Sequence, residues 1–337
     1  MAIVQIVHQA QGGEYGYDFR GGTWNAGRAL LNGLSPFPRP NSAWLLGHSN
    51  SFITPPLLAI VGAPFSLLPF GTAIAAFNLV CAGCLIGALR VLGVRDRAFG
   101  VVVLCSFPFV ASLALGQPDG LLALGAAVAW RYRDSWPGPI AAGAIIAAKL
   151  LAWPLIIWLL VTRRFRQAAL AAAATVVFLL ASWAPIGFAG LTSYPRLLSA
   201  DARAFGTDAH SILTALVRSG VPLHPAMALA VALAVAVAAT VVRVARGSDL
   251  GWFTAALTLG ILASPVVWQH YFLLLFIALA ATRRHRDPLV WVLALGLWLS
   301  PSETPATLAQ AWLIPILAAG ISLRIAVLSR IAEPRLS

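Results

Sequence analysis

Long apolar runs, each closed by a small cluster of arginines, recur along almost the whole chain. A run long enough to cross a bilayer cannot be buried many times over in one soluble globule of this size. The chain is 60% hydrophobic and only 10% charged, where soluble domains carry about 25% charged residues. Too little polar material is present to cover a water-facing surface. The runs are blocks of Ala, Leu and Val rather than alternating segments, which excludes a β-barrel. The sequence therefore predicts an all-α, polytopic membrane protein.

The net charge of +12 would suggest nucleic acid in a soluble protein. Here the arginines sit between apolar runs, as cytoplasmic loops do under the positive-inside rule, so no nucleic-acid partner is expected; the bilayer is the partner. Cys81, Cys84 and Cys105 all lie within apolar runs. They read as small packing residues, with no disulfide framework or zinc site. The opening "MAIVQIVHQA" is too short to span and lacks a signal peptide's charged start. It reads as though a first membrane helix preceded it.

One domain, 1–337, is expected, with two long polar loops at 11–51 and 188–221. The first holds "TWNAGRALLNG", an amphipathic helix with Trp24, Ala26, Leu30 and Leu31 on one side. Apolar segments are expected at 52–68, 71–92, 98–115, 118–132, 138–151, 155–162, 167–187, 222–245, 250–265, 271–282, 288–300 and 307–328. That makes about 11–12 membrane helices, several shorter than the ~20 residues of a straight crossing. Short helices at membrane depth are tolerated where they are buried in protein or line a cavity.

Placing every arginine cluster in the cytoplasm sends "GQPDG", the break at "KLLAWP", loop 188–221, "SPVVWQHY" and "PSETP" to the other face. A parity conflict remains at 52–92, which is long enough for two helices although the flanking loops demand an odd number. Either the Pro-rich 52–68 piece is irregular or re-entrant, or loop 93–97 is outside. In the second long loop, "HSILTALVRSG" is expected to lie along the interface as a short helix, and Asp201, Asp208 and His210 fall in the same loop.

Charged groups at membrane depth are candidates for function. Lys149 is the only lysine in the chain; it either snorkels to the interface or binds an anion such as a phosphate. His270 is either an interfacial histidine between Trp268 and Tyr271 or part of a site. Asp119 either starts a helix near its positive dipole end or belongs with Gln117 to that site. Asp18, in "EYGYDF" with Glu14, is either a solvated carboxylate or a base. The topology brings Asp18, Gln117, Asp119, Lys149 and His270 to one face. A carboxylate, a cation and a histidine suit transfer of a group from a phosphate carrier to a hydroxyl: the carboxylate takes the proton, and the cationic groups steady the departing phosphate.

Several stretches, in order, resemble a known pattern: "YDF" with "GLSPFP", "FITPPLLAI", "GQPDGLL", "GAIIAAKLLAWP" followed by "VTRRFRQA", and "SPVVWQHY". They are similar to the polyprenyl-phosphate-dependent glycosyltransferases of the GT-C fold, and within them to glycosyltransferase family 87. That family includes actinobacterial mannosyltransferases and arabinofuranosyltransferases. The resemblance covers roughly residues 15–285, with Asp119 where the family more often has Asn.

The resemblance implies a GT-C-type bundle without its first helix and an inverting transfer of a sugar, mannose first among candidates. The donor would be a polyprenyl-phosphate sugar, and the acceptor a hydroxyl of a glycolipid or cell-envelope glycan. It implies Asp18 as general base, Lys149 and His270 near the donor phosphate, and Gln117, Asp119 and Tyr271 in the substrate cavity. Glu14 is left as a bystander. No cofactor and no metal are expected, since the lipid-linked donor is itself a substrate. The expected location is the cell membrane of a bacterium, with an extracytoplasmic active site; Ala- and Arg-rich composition fits an actinobacterial source. The competing reading is a transporter or flippase of a lipid-linked sugar, but no internal repeat of the transporter kind is visible.

Overall fold

The computed structural model describes residues 15–38, 41, 52–284, 286–299 and 304–332. Glu14, the opening segment with its expected preceding helix, and most of "PSETP" lie outside that set. Every regular element among the described residues is helical. A π-helical turn at Phe19–Trp24 leads into α1 (Asn25–Leu31), and α2 (Leu57–Gly62) follows the first long loop. Then come α3 (Phe70–Val91), α4 (Arg97–Leu104), α5 (Phe107–Leu115), α6 (Asp119–Arg131), α7 (Pro137–Ala148), α8 (Pro154–Val161) and α9 (Phe165–Trp183). The second long loop folds as α10 (Tyr194–Phe205) and α11 (Ile212–Arg218). The chain continues with α12 (Leu223–Val244), α13 (Asp249–Leu262), α14 (Leu273–Ala281), α15 (Pro288–Gly296) and α16 (Leu308–Ala332).

Helix starts follow local chemistry. Prolines, whose missing N–H is harmless in the first turn, open α5, α7, α8, α10 and α15. Side chains of Asp96, Ser211, Ser248 and Asp287 accept the free amides at the starts of α4, α11, α13 and α15.

Each expected apolar segment from residue 71 onward is helical, but lengths differ. Four helices are individually long and apolar enough to cross a membrane: Phe70–Val91, Phe165–Ile186, Leu223–Val244 and Leu308–Arg330. The α4–α5 pair makes a fifth if taken as one span bent by 48°. The count of about 11–12 crossings thus resolves into these and a set of short helices, α6 (13 residues), α7 (12) and α13 (14) among them. At about 1.5 Å per residue these reach about 18–21 Å, short of a hydrocarbon core of about 30 Å. The parity conflict also resolves. Segment 52–68 forms only α2 and a 3-10 turn at Phe65–Leu67, leaving α3 as the one long helix before loop 93–97.

Two surface expectations change. On α1, Ala26 and Gly27 are buried against α2, whereas Leu31 is 52% exposed. The small residues let two backbones approach, so they and not Leu31 form the contact face. In α11, residues 212–216 are all buried against α12 and α16. This helix is inside the protein rather than along the interface.

The arginine clusters pair at one end of the bundle. Asp249 Oδ2 accepts from Arg133 Nε at 2.6 Å and from Arg164 at 2.8 Å, and Asp249 Oδ1 accepts from the Trp158 indole at 2.8 Å. Arg286 pairs with Asp96 at 3.0 Å and Arg324 with Asp287 at 2.6 Å. From this end the short helices α6, α7, α13 and α14 run to a second polar layer, where Asp119, Lys149 and His270 lie.

Glycine sets one of the contacts that carries Asp119. A Cβ on Gly120 would stand 2.1 Å from the carbonyl oxygen of Cys81 on α3, a backbone atom that cannot swing away. Replacing Gly120 with Ala should therefore destabilise the protein by about 1–3 kcal/mol, read as a lower midpoint of thermal unfolding in detergent. An unchanged midpoint would show that α3 and α6 can separate freely.

Candidate active site

Asp18 is placed by its neighbour. Phe19 is fully buried, stacked on Phe77 at 4.8 Å between ring centroids and edge-on to Phe65 at 6.5 Å. The Gly16 amide donates to the Ala114 carbonyl at 2.7 Å. This plug seats the π-helical turn against the end of α5. The chain leaves α5 through Gly116 at φ +75°, where a Cβ would stand 2.4 Å from Phe19. That left-handed turn suits glycine and aims Gln117 at the plug. The Gln117 amide Nε2 then donates to Asp18 Oδ2 at 2.7 Å.

Asp119 begins α6 and is 1% exposed. His270 Nδ1 lies 2.6 Å from Asp119 Oδ2, and Lys149 Nζ lies 3.8 Å from Asp119 Oδ1. The second distance is an ion pair but too long for a hydrogen bond. Lys149 itself breaks the chain between α7 and the 3-10 turn Leu150–Ala152, in extended backbone at φ −149°. Its ammonium sits over the Tyr271 ring, 3.8 Å from the centroid, a cation–π contact. Lys149 Nζ and His270 Nε2 are buried and make no hydrogen bond among the described residues. Asp119 thus holds a lysine and a histidine, each with a donor or acceptor to spare.

Two cavities meet here. The larger, about 420 Å³, is lined by Tyr17, Asp18, Gln117, Lys149, Asp201 and Tyr271 among others. The smaller, about 290 Å³, is mostly apolar, with Pro55, Leu151, Trp153, Leu198 and Pro265 in its wall. Lys149, Asp201, Trp268 and Tyr271 are among the residues they share. Of the residues expected at a site, Asp18, Gln117, Lys149 and Tyr271 line the larger cavity, whereas Asp119 and His270 line neither and stand behind Lys149 and Tyr271.

Enclosure in protein pushes the Asp18 carboxyl above its ordinary value, and the Gln117 hydrogen bond partly opposes that. Among the described residues no group of three or more His, Cys, Asp or Glu side chains converges as a metal site.

Comparison with known families decides the class. The chain matches the family model of glycosyltransferase family 87 over residues 52–265, more than half of its length. It belongs to glycosyltransferase family 87. No curated protein and no solved structure matches it. Family 87 membership makes the chain a membrane glycosyltransferase and decides for sugar transfer over transport. The matched stretch includes Gln117, Asp119, Lys149 and Asp201; Asp18 precedes it, and His270 and Tyr271 follow it.

Two cavity acids, Asp201 and Asp208, were not assigned to the site from the sequence of this family 87 chain. Asp201 was legible only as an acid in a polar loop. Its signal was positional: Tyr194, Leu197, Asp201 and Ala204 recur at helical spacing and are all buried, so the acid occupies the apolar face of an amphipathic helix. Removing the central carboxylate is the sharpest test of the cluster. Asp119→Ala should destabilise the fold by roughly 3–5 kcal/mol, because it leaves buried Lys149 and His270 without their partner. Asp119→Asn should cost less. Chemical denaturation of the purified variants checks both.

Proposed function

We propose that this family 87 enzyme transfers a sugar, mannose first among candidates, from a polyprenyl-phosphate sugar to a hydroxyl of a glycolipid or cell-envelope glycan. The observation that carries the reading is one cavity lined by both an acid, Asp18, and the Lys149 ammonium, which pairs with Asp119 yet makes no hydrogen bond among the described residues. The acceptor oxygen attacks the anomeric carbon from the Asp18 side. As the new C–O bond forms, its proton passes to Asp18, and the bond from the anomeric carbon to the phosphate oxygen breaks. One displacement inverts the anomeric configuration. Lys149 steadies the charge left on the phosphate.

The charge balance supports a singly charged donor. A sugar phosphodiester carries one negative charge at its single phosphate, and Lys149 is the one lysine or arginine that lines either cavity among the described residues. The apolar cavity beside Lys149 suits the first isoprene units of the lipid. Asp119 acts from behind by holding Lys149 and His270, and Gln117 orients Asp18. With the arginine-rich end in the cytoplasm, the reaction takes place on the extracytoplasmic side of the cell membrane.

A raised carboxyl pKa favours a base, because a stronger base takes the proton more readily once ionised. Asp18→Asn should lower kcat by roughly 10²–10⁴-fold with little change in donor KM, measured with polyprenyl-phosphate mannose and a glycolipid acceptor in proteoliposomes. Retained transfer would remove Asp18 from the base role. The pH profile gives an independent check. Asp18 works ionised, so activity should fall as pH drops through its pKa, with a midpoint above 3.8. Gln117→Leu removes a donor that stabilises the ionised form and should move that acid limb to higher pH. Movement to lower pH would contradict the assignment.

A further inference from the structure

Every aspartate in the chain lies within the described residues, and six of the eight have a cationic partner within 4.0 Å. The two without one among the described residues are Asp18 and Asp201. Asp18 has the Gln117 amide. Asp201 has a buried Oδ1 with no hydrogen bond among the described residues. It is 7% exposed and sits in the eighth position of the 12-residue α10, too deep in the helix to cap either end. A buried acid that neither caps nor pairs costs about 1–3 kcal/mol, and no partner among the described residues offsets it. Yet it is placed where both cavities share a wall, with Lys149 and Tyr271.

We propose that Asp201 reads the hydroxyls of the transferred sugar, as a specificity-determining residue at the junction of the two cavities. The inference rests on the lipid-linked donor reading above. On that reading the donor lipid occupies the apolar cavity and its phosphate lies at Lys149. The sugar must then span from Lys149 toward Asp18, and the shared wall is what it passes. A carboxyl cannot hold a phosphate there, since two anions repel. It suits a polyol, because its oxygens accept from sugar hydroxyls, and charge-assisted bonds of this kind are about twice as strong as neutral ones. Burial pushes the Asp201 carboxyl up to about 7, so near neutrality both forms are present; the protonated form can also donate to a sugar oxygen, and its neutrality avoids repelling the nearby phosphate. Acceptor sugars offer the same hydroxyl chemistry. Asp201 borders the apolar cavity as well as the larger one, while Asp18 borders only the larger, which assigns Asp201 to the donor's sugar.

The experiment compares two lipids, polyprenyl-phosphate mannose and polyprenyl phosphate without a sugar, binding to the full chain in nanodiscs. Asp201→Ala should weaken binding of the sugar-bearing lipid about tenfold or more, the loss of one hydrogen bond to a charged group. Binding of the bare phosphate lipid should change less than twofold. In turnover, donor KM should rise by a similar factor with kcat less affected, and Asp201→Asn should recover part of the loss. Equal weakening of both lipids, no weakening of either, or a change in acceptor KM alone would overturn the inference while leaving the donor reading intact. Wild-type protein that fails to bind the sugar-bearing lipid would defeat the donor reading, and the inference with it. Should the alanine variant not stay monodisperse, Asp201→Asn is compared with wild type on mannosyl, glucosyl and arabinofuranosyl prenyl phosphates. An unchanged order of preference would overturn the inference equally well.

Discussion

The buried carboxylate of Asp119 is the constraint from which much of the arrangement follows. An ion taken out of water at this depth costs several kcal/mol unless it is partnered. Its partners come from far along the chain, Lys149 after α7 and His270 in the turn before α14. All three segments must therefore end at one point. This explains why α6, α7 and α14 stop short of a full crossing and why the chain turns back at a 3-10 piece in two of the three places. It also explains the tight approach of α6 to α3 at Gly120. A bulkier residue there would move the carboxylate away from its partners.

The two ends of the bundle treat charge differently. At the arginine-rich end, Asp96, Asp134, Asp249 and Asp287 each meet at least one guanidinium, with bidentate geometry at Asp249 from Arg164 and at Asp287 from Arg324. Planar guanidinium forks suit that pairing, and it ties the ends of α4, α7, α9, α13, α15 and α16 together. At the other end Asp208 meets Arg218 at 3.8 Å, and three further acids are left short of cations. Asp119 shares one ammonium at 3.8 Å, while Asp18 and Asp201 have none within ion-pair distance among the described residues. Saturated charge at one end suits a scaffold; unsaturated charge around a cavity suits a site that acquires its partners from a substrate.

Much of this was legible in the sequence, and the reason is physical. Apolar runs and arginine clusters report on burial in lipid and on loop position directly, so helix positions from residue 71 onward could be read from order alone, as could the gathering of Asp18, Gln117, Asp119, Lys149 and His270 in one region; Tyr271 came from the family resemblance. What could not be read depends on depth and on side-chain direction. Hydropathy does not separate the four helices that are individually long enough to cross from the shorter apolar ones that end at a buried ion pair. It does not show that Asp119 and His270 face each other at 2.6 Å instead of facing the cavity. Asp201 was hidden because a loop by composition is an amphipathic helix in the fold, and an acid on its apolar face looks unremarkable until the helix is built.

Depth also bears on how the proposed chemistry would work. The second polar layer lies about 18–21 Å from the arginine-rich end by helix length, less than the length of the 22-residue helices α3 and α12 and the 25-residue α16. The cavity floor is thus recessed within the protein, below the far ends of its tallest helices. There, screening by water is weak, and a single ammonium acts on a phosphate far more strongly than it would at a surface. That would let one lysine, held by a buried acid, do what a cluster of cations does in a water-filled site. On the proposed reading, a recessed site would let a lipid-linked donor reach Asp18 without lifting its tail out of the hydrocarbon. A water-soluble sugar donor would gain nothing from that depth, which is why the recess, together with the lone cation, argues for a lipid carrier.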